Sequence, residues 1–335
     1  MNLLDVQDLR IELQTHRGPA IAVLNVGFSL ARGDTLGLVG ESGCGKSLTA
    51  MALMGLLPEG ARVSGSIRLD GQELIGLDEK GWSALRGNRV GMIFQEPMTA
   101  LNPVHTVARQ VAEPLRLHRG LSAKQARQEA IALLDRVGIP DAARRADAYP
   151  HQFSGGQRQR ITIAMALSCS PDLLIADEPT TALDVTVQKQ ILDLMQDLVA
   201  ERGMAMLLIS HDLGVIARSV ARMMVMYGGS VVESGPTARV FAQRRHPYTQ
   251  GLFGARPALL APRGQRLATI AGTVPELVDL PVGCPFSGRC AYTAPACHHS
   301  TPAPTDLGQG HAVRCLQLDA IASATSAPAP QGSSV

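Results

Sequence analysis

No stretch of this sequence approaches the roughly 18 apolar residues that a membrane-spanning helix needs, and runs such as Met204–Ile209 fall far short. The opening Met1-Asn2-Leu3-Leu4-Asp5 has no basic n-region, so neither an export signal nor a spanning segment is expected, and membrane association would have to come through partners. Charge of one sign is also missing. Thirty-one Lys and Arg against 29 Asp and Glu leave a formal net charge of +2, which argues against a strongly electrostatic nucleic-acid binder. Cysteine is sparse until the end of the chain. Cys44 and Cys169 stand alone, whereas Cys284, Cys290, Cys297 and Cys315 crowd the last stretch. In a chain expected to be cytosolic, structural disulfides are disfavoured and such a cluster reads more readily as a metal holder. There is no internal repeat.

What is present is enough apolar residue to build a core. With 335 residues at 45% hydrophobic content, the sequence supports one large domain or two smaller ones. Residues 1 to 35 read as short alternating strands, and Thr35–Val39 as a strand that runs directly into Gly40. Lys46 to Leu57 reads as an apolar-rich helix stopped by Pro58, and Ser66–Leu69 with Asp70-Gly71 as a strand and tight turn. From about 104 to 150 the pattern is helical, with Ala126, Ala130, Ile131, Leu133 and Leu134 at helical spacing, which predicts an inserted helical subdomain. Leu173–Ala176 and Ala205–Ile209 are continuous apolar runs, as in central parallel strands covered on both faces. The helical period of 187–199 between them makes a β-α-β crossover. Met223–Tyr227, Gly228-Gly229 and Ser230–Glu233 read as a hairpin, and residues 322 to 335 as disordered.

The chemistry is concentrated in a few of these junctions. Gly40-Glu41-Ser42-Gly43-Cys44-Gly45-Lys46-Ser47, followed by Leu48, fits G-x-x-x-x-G-K-[ST] after a strand and at the opening of a helix. Glycines let backbone N–H groups curl around phosphate. The helix N-terminus adds positive partial charge, Lys46 is suited to the β- and γ-phosphates, and Ser47 to Mg²⁺. Asp177 ends an apolar strand, so its carboxylate emerges at the carboxyl edge of the sheet as a second Mg²⁺ holder. Glu178 beside it is placed to orient an attacking water. Ser154-Gly155-Gly156-Gln157 precedes an expected helix from Arg158 to Ser168. Capping alone accounts for the serine. The two glycines weaken a first helical turn, which makes sense where backbone must approach another molecule closely, and a second phosphate-type loop on one chain implies ATP shared across a dimer.

Together these motifs resemble the ATP-binding subunit of ABC transporters, in the dipeptide, oligopeptide and nickel importer branch. The resemblance covers about residues 3 to 245. It comprises a Walker A loop at Gly40–Ser47, a Q-loop at Gln95, a signature at Phe153–Gln157, a Walker B strand at Leu173–Asp177 with Glu178, a D-loop at Ala182-Leu183-Asp184 and a switch at His211. The signature opens with Phe153 where the family most often has Leu. The resemblance implies a P-loop cassette with a RecA-like core, an antiparallel β-subdomain and a helical subdomain at about 96–160. It implies that Gln95 senses Mg²⁺ and water, so that the metal would be held by Ser47, Gln95 and Asp177. It further implies that His211 contacts the γ-phosphate, and that Ser154, Gly155, Gly156, Gln157 and Asp184 face the ATP of a partner subunit. The family stacks adenine on an aromatic residue near the N-terminus, yet Leu13–Gly18 has none, leaving His16 or Arg17 as substitutes.

The tail extends the likeness. Gly283–Cys290, Val313–Cys315, Gln95–Pro103 and Arg245–Gly251 resemble peptide-importer ATPases, with a C-terminal extension at 246–320 and a disordered tail at 321–335. Some relatives carry a [4Fe–4S] cluster there, which would fall on Cys284, Cys290, Cys297 and Cys315; free thiols in a small apolar core, or zinc, are the alternatives. The implied assembly is a second cassette, either a paralogue or another copy, with two membrane permease subunits and an extracytoplasmic solute-binding protein, and without nucleic acid. The chain would sit peripherally at the cytoplasmic face of the inner or plasma membrane and hydrolyse ATP to drive uptake of di- or oligopeptides or a related solute. A soluble ABC ATPase acting on DNA or ribosomes would ordinarily need two cassettes in one chain or a long coiled-coil insertion, and neither is present. A nucleotide-binding regulator without turnover is disfavoured by Glu178.

Overall fold

The protein is described by a computed structural model covering residues 2–95, 100–181, 183–255 and 269–326. Glu96–Thr99 of the stretch after Gln95, Ala182 of the D-loop and the tail from 327 onward lie outside the described residues. Two sheets carry the fold. The first is antiparallel and pairs β1 (Leu4–Thr15), β2 (Gly18–Leu30), β4 (Arg62–Leu69) and β5 (Gln72–Glu73) in the order β2-β1-β4-β5. The second contains β3 (Thr35–Val39), β6 (Val90–Ile93), β7 (Leu173–Asp177), β8 (Ala205–Ile209), β9 (Arg222–Tyr227), β10 (Ser230–Pro236), β11 (Thr305–Asp306) and β12 (Ala312–Val313). Its order is β11-β12-β10-β9-β3-β8-β7-β6, parallel from β9 to β6 and antiparallel beyond β9.

The apolar runs at β7 and β8 are explained by burial on both faces. Leu174, Ala176, Met206 and Leu208 enter one core with the helices that follow β6, while Leu173, Ile175, Leu207 and Ile209 enter another with the antiparallel sheet. Alternation along a strand sends neighbours to opposite faces, so a strand in the middle of three layers must be apolar throughout. Helices Val107–Arg119, Ala123–Arg136 and Gly155–Ala166 form the inserted helical layer, and Val185–Arg202 is the crossover between β7 and β8. No helix among the described residues is long and apolar enough to cross a membrane.

Several expectations need correction. The first 35 residues form two long paired strands rather than several short ones, because a β-bulge series between Val6 and Glu12 lets one strand continue through apparent breaks in alternation. The helix after Gly45 ends at Met54, with Gly55 in the left-handed conformation as its cap, so 55–57 lie outside it. The helix placed at Arg158–Ser168 begins at Gly155 and ends at Ala166. The helix Leu318–Ser326, anchored by the buried Ile321, runs into the first residues of the stretch read as disordered.

The C-terminal region is tied into the sheet by a buried polar knot. Glu233 on β10 accepts from the backbone N–H groups of Arg245 (2.8 Å) and His246 (2.9 Å) and pairs with His311 Nε2 at 2.8 Å. Both Glu233 and His311 are fully buried, so the pair answers for its own desolvation only while the contact holds. Beside it Tyr227 of β9 meets Tyr248 and Phe286, with ring centroids 4.7 and 5.0 Å away. In a chain so short of aromatics, three rings at one junction mark where the C-terminal region packs on the core.

Candidate nucleotide site

Strand β3 ends in a loop whose glycines are required by geometry. Gly40 has φ +154, and a Cβ there would stand 2.3 Å from the carbonyl oxygen of Met226. Gly45, at φ +99, would bring a Cβ within 2.7 Å of Ala22 O. Gly45 caps the helix Lys46–Met54 without any side-chain hydrogen bond, which leaves first-turn N–H groups directed at the loop. Lys46 is buried, and its ammonium donates to the loop's own carbonyls, Gly40 O at 2.8 Å and Glu41 O at 2.9 Å. Cys44 is buried beneath the loop, and its thiol is pushed up by desolvation against the lowering field of Lys46. Ser42 and Gly43 are exposed at the tip, and Leu48 packs partly buried on the core below.

Across from this loop Asp177 closes β7. It is buried, and desolvation raises its carboxyl above the usual range, helped by the charge of Glu178 and opposed by a hydrogen bond with Ser47 and the charge of Lys46. Its Oδ1 has no hydrogen-bond partner. A buried, unpartnered carboxylate oxygen beside a serine hydroxyl suits a hard cation, so Ser47 and Asp177 fit Mg²⁺.

Glu178 follows with φ +46, a left-handed backbone that a non-glycine residue adopts at about 1–3 kcal/mol of strain. Its N–H donates to Ile209 O (3.0 Å), extending the β7–β8 pairing by one bond while the side chain turns out of the sheet. Three groups converge on one oxygen, Oε2: Thr181 Oγ1 at 2.9 Å, His211 Nδ1 at 3.1 Å and Gln95 Nε2 at 3.3 Å. Gln95 comes from the end of β6, His211 from the end of β8 and Thr181 from the turn after β7. Three strand ends thus deliver one cluster, at the edge where ligands of open α/β sheets bind.

The second loop forms a separate group. Ser154 caps the helix Gly155–Ala166, its Oγ accepting from Gln157 N (3.3 Å) while Gln157 Oε1 accepts from Ser154 N (3.2 Å). Ser154 and Gly155 are exposed, and a Cβ on Gly156 would stand 2.8 Å from Val187 Cγ1. Close packing of the helix Val185–Arg202 therefore accounts for this second glycine. Asp184 caps that same helix, accepting from Val187 N at 2.9 Å, and is exposed. Among the described residues no hydrogen bond joins this group to the Gly40–Leu48 loop.

Sequence reasoning missed three residues. Thr181 carried a usable signal, a hydroxyl three residues after Glu178 in a turn. Tyr248 and Arg289 carried none. Tyr248 Oη accepts from Glu41 N (2.8 Å), and Arg289, 5% exposed at its side chain, reaches both carboxylate oxygens of Glu41 at 2.8 and 3.2 Å. The reading of Cys284, Cys290, Cys297 and Cys315 as metal ligands finds no support: the four are free of disulfides, and no group of three or more His, Cys, Asp or Glu among the described residues is arranged to hold a metal ion. Burial pushes Cys284 up to about 11 and raises Cys290 and Cys315, and the neighbouring thiols add to each.

A phosphate loop, a buried acid at a strand end and an adjacent clustered glutamate define an ATP-binding cassette. Comparisons agree. A family model for the ABC transporter matches residues 23–181, and one for the oligopeptide/dipeptide transporter C-terminal region matches 232–297. A putative peptide import ATP-binding protein of Brucella melitensis is 51% identical over 96% of this chain and 98% of its own length. The dipeptide transport ATP-binding protein DppD of Bacillus subtilis is 48% identical over 95% of each chain. A solved dimeric cassette in a post-hydrolysis state bound to ADP and Pi superposes with a TM-score of 0.63 at 27% identity, covering 70% of this chain and 98% of that one. The chain belongs to the peptide-import ATP-binding subunits of the ABC transporter family and is an ATPase.

Proposed function

We propose that this chain is the motor subunit of an ABC importer for di- or oligopeptides, working peripherally at the cytoplasmic face of the membrane on two permease subunits fed by an extracytoplasmic binding protein. The reading divides the chain at about 245 into a cassette and a C-terminal extension. The observation that carries the enzymology is the convergence of Gln95, Thr181 and His211 on Glu178 Oε2, beside the unpartnered oxygen of Asp177. In the working cycle Lys46 exchanges its loop carbonyls for the β- and γ-phosphates, and the N–H groups of residues 43–48 hold the phosphate chain. Ser47 and Asp177 would hold Mg²⁺, with Gln95 reaching it from the sheet edge; when bound, the metal neutralises charge on the phosphates. Glu178 accepts a proton from the attacking water and fixes its direction, while His211 donates to the γ-phosphate oxygen.

Ser154, Gly155, Gly156, Gln157 and Asp184 act on the ATP of a second cassette, because their loop is exposed and separate from this chain's own phosphate site. ATP then favours the closed pair over the open one, and that difference in affinity is what moves the permease. The four C-terminal cysteines act as thiols in this reading, and no step passes through an iron–sulfur cluster. Anaerobic purification with iron and sulfide assays checks this; stoichiometric iron and sulfide would restore the cluster. Uptake of labelled di- and oligopeptides and of nickel, in cells lacking the chain, tests the importer assignment. Lost peptide uptake with nickel uptake intact is expected; lost nickel uptake alone would reassign the solute, and no loss of either would refute the assignment.

A further inference from the structure

The turn between β1 and β2 lacks an aromatic ring, and the structure removes one of its two substitutes. Arg17 is committed to acids of the C-terminal region, donating from Nη1 to Glu276 (3.0 Å) and Asp279 (2.7 Å) and from Nη2 to Asp279 (2.7 Å). The other, His16, lines a cleft of about 430 Å³ whose floor is Ser42 and Gly43 at the tip of the phosphate loop. Its far wall is residues 274–278, more than two hundred residues away in sequence.

We infer that Val274, Pro275 and Leu277 form a wall of the adenine site, so that the base is held between the C-terminal region and His16. The inference rests on the proposal that ATP binds at Gly40–Leu48. A triphosphate anchored on that loop tethers its base within one ribose of the loop tip, and the cleft opens at that tip. A purine presents two flat, weakly polar faces, which apolar side chains cover on one side and an imidazole on the other. The wall is also fixed in place. Arg289 donates from Nε to Ala271 O (2.9 Å) while its Nη atoms grip Glu41 of the loop, and Arg17 grips Glu276 and Asp279. Residues 271–279 are thus pinned from both ends onto the two elements that frame the cleft. Such preorganisation keeps the ordering penalty on binding small.

Two measurements on the full-length protein test this. Photolabelling with 8-azido-ATP, followed by peptide mapping, places the adduct in the peptide carrying 274–278. Titration of ATP against inorganic tripolyphosphate then compares the wild type with the double substitution Val274→Ala and Leu277→Ala. Truncating apolar wall atoms weakens ATP by about tenfold and leaves tripolyphosphate unchanged. Labelling confined to other segments, or equal effects on the two ligands, would overturn the inference while sparing the phosphate site. Failure of the wild type to bind either ligand would overturn the nucleotide assignment and this inference with it. Labelling of the wild type decides the matter even if the double variant folds poorly.

Discussion

Replacing Glu178 with glutamine separates chemistry from structure at this site. The three contacts on Glu178 Oε2, at 2.9, 3.1 and 3.3 Å, all come from groups able to donate. A glutamine carbonyl oxygen in the same position accepts the same bonds, so the cluster survives the substitution. What is lost is the negative charge and the capacity to take a proton from water. Removing a positioned general base lowers turnover by about 10²–10⁴-fold, or about 2.7–5.4 kcal/mol of barrier at 1.36 kcal/mol per decade. Binding moves the other way. The charge of Glu178 is one cause of the raised carboxyl of Asp177, so Glu178→Gln makes Asp177 easier to ionise, and it removes a negative charge that repels the phosphates. The expected variant binds Mg²⁺ and ATP at least as well as the wild type, hydrolyses it hundreds of times more slowly and accumulates as a closed dimer. Phosphate release from the assembled transporter and size-exclusion chromatography with ATP measure both effects. Undiminished steady-state turnover would refute the assignment of Glu178, and loss of ATP binding would show that the carboxylate holds the loop together instead.

Further substitutions probe the neighbouring contacts. Asp177→Asn should raise the thermal midpoint without nucleotide, because it removes a buried charge whose Oδ1 is unpartnered, while abolishing Mg²⁺-dependent hydrolysis. The pH dependence has the matching sign: a carboxyl raised in the folded state is protonated at higher pH than an ordinary aspartate, so its deprotonated form is disfavoured by folding. Stability from this group is present below the unfolded pKa and lost as pH rises through the folded one, whereas Mg²⁺-dependent ATP binding should fall on acidification and do so earlier than for an ordinary aspartate. Gly40→Ala drives a methyl to 2.3 Å from a backbone oxygen at φ +154, so the loop must shift; lost nucleotide binding and about 1–3 kcal/mol of destabilisation are expected by titration and thermal unfolding. Arg289→Ala removes charge-assisted bonds to Glu41 and should lower stability by about 2 kcal/mol, read from denaturant unfolding.

How much of this was legible in the sequence depended on how local the physics is. The strands β7 and β8 and the loop between β3 and its helix were readable because burial on both faces and a phosphate-wrapping backbone each leave a contiguous mark. Acids at a strand end follow from the same logic, which is why Asp177 and Glu178 were singled out, whereas Gln95 and His211 came only from the resemblance to the family. Thr181 was overlooked because a threonine in a turn usually satisfies backbone. The helix was started too late, at Arg158, because the two glycines weaken a first turn even below a capping serine; Gln157 completes a capping box with Ser154 that secures that turn, and Gly156 is required by the approach of Val187. The helix at Leu318–Ser326 was hidden by a small-residue composition, yet burial of Ile321 is enough to anchor it.

The contacts that bind the C-terminal region to the phosphate loop were beyond any local reading. Glu41 and Arg289 are 248 positions apart, Arg17 and Asp279 are 262, and nothing in the residues around either pair marks it as a partner. Glu41 itself occupies one of the four free positions of G-x-x-x-x-G-K-[ST], where the pattern places no demand. Here that position carries a carboxylate held by Arg289 and a backbone N–H held by Tyr248, so the phosphate loop has a side chain reserved for the C-terminal region. A loop whose geometry is held partly from outside the cassette core responds to whatever strains that region. Perturbing Arg289 should therefore change nucleotide affinity as well as stability, and an effect on stability alone would mean that the contact only fastens the C-terminal region in place.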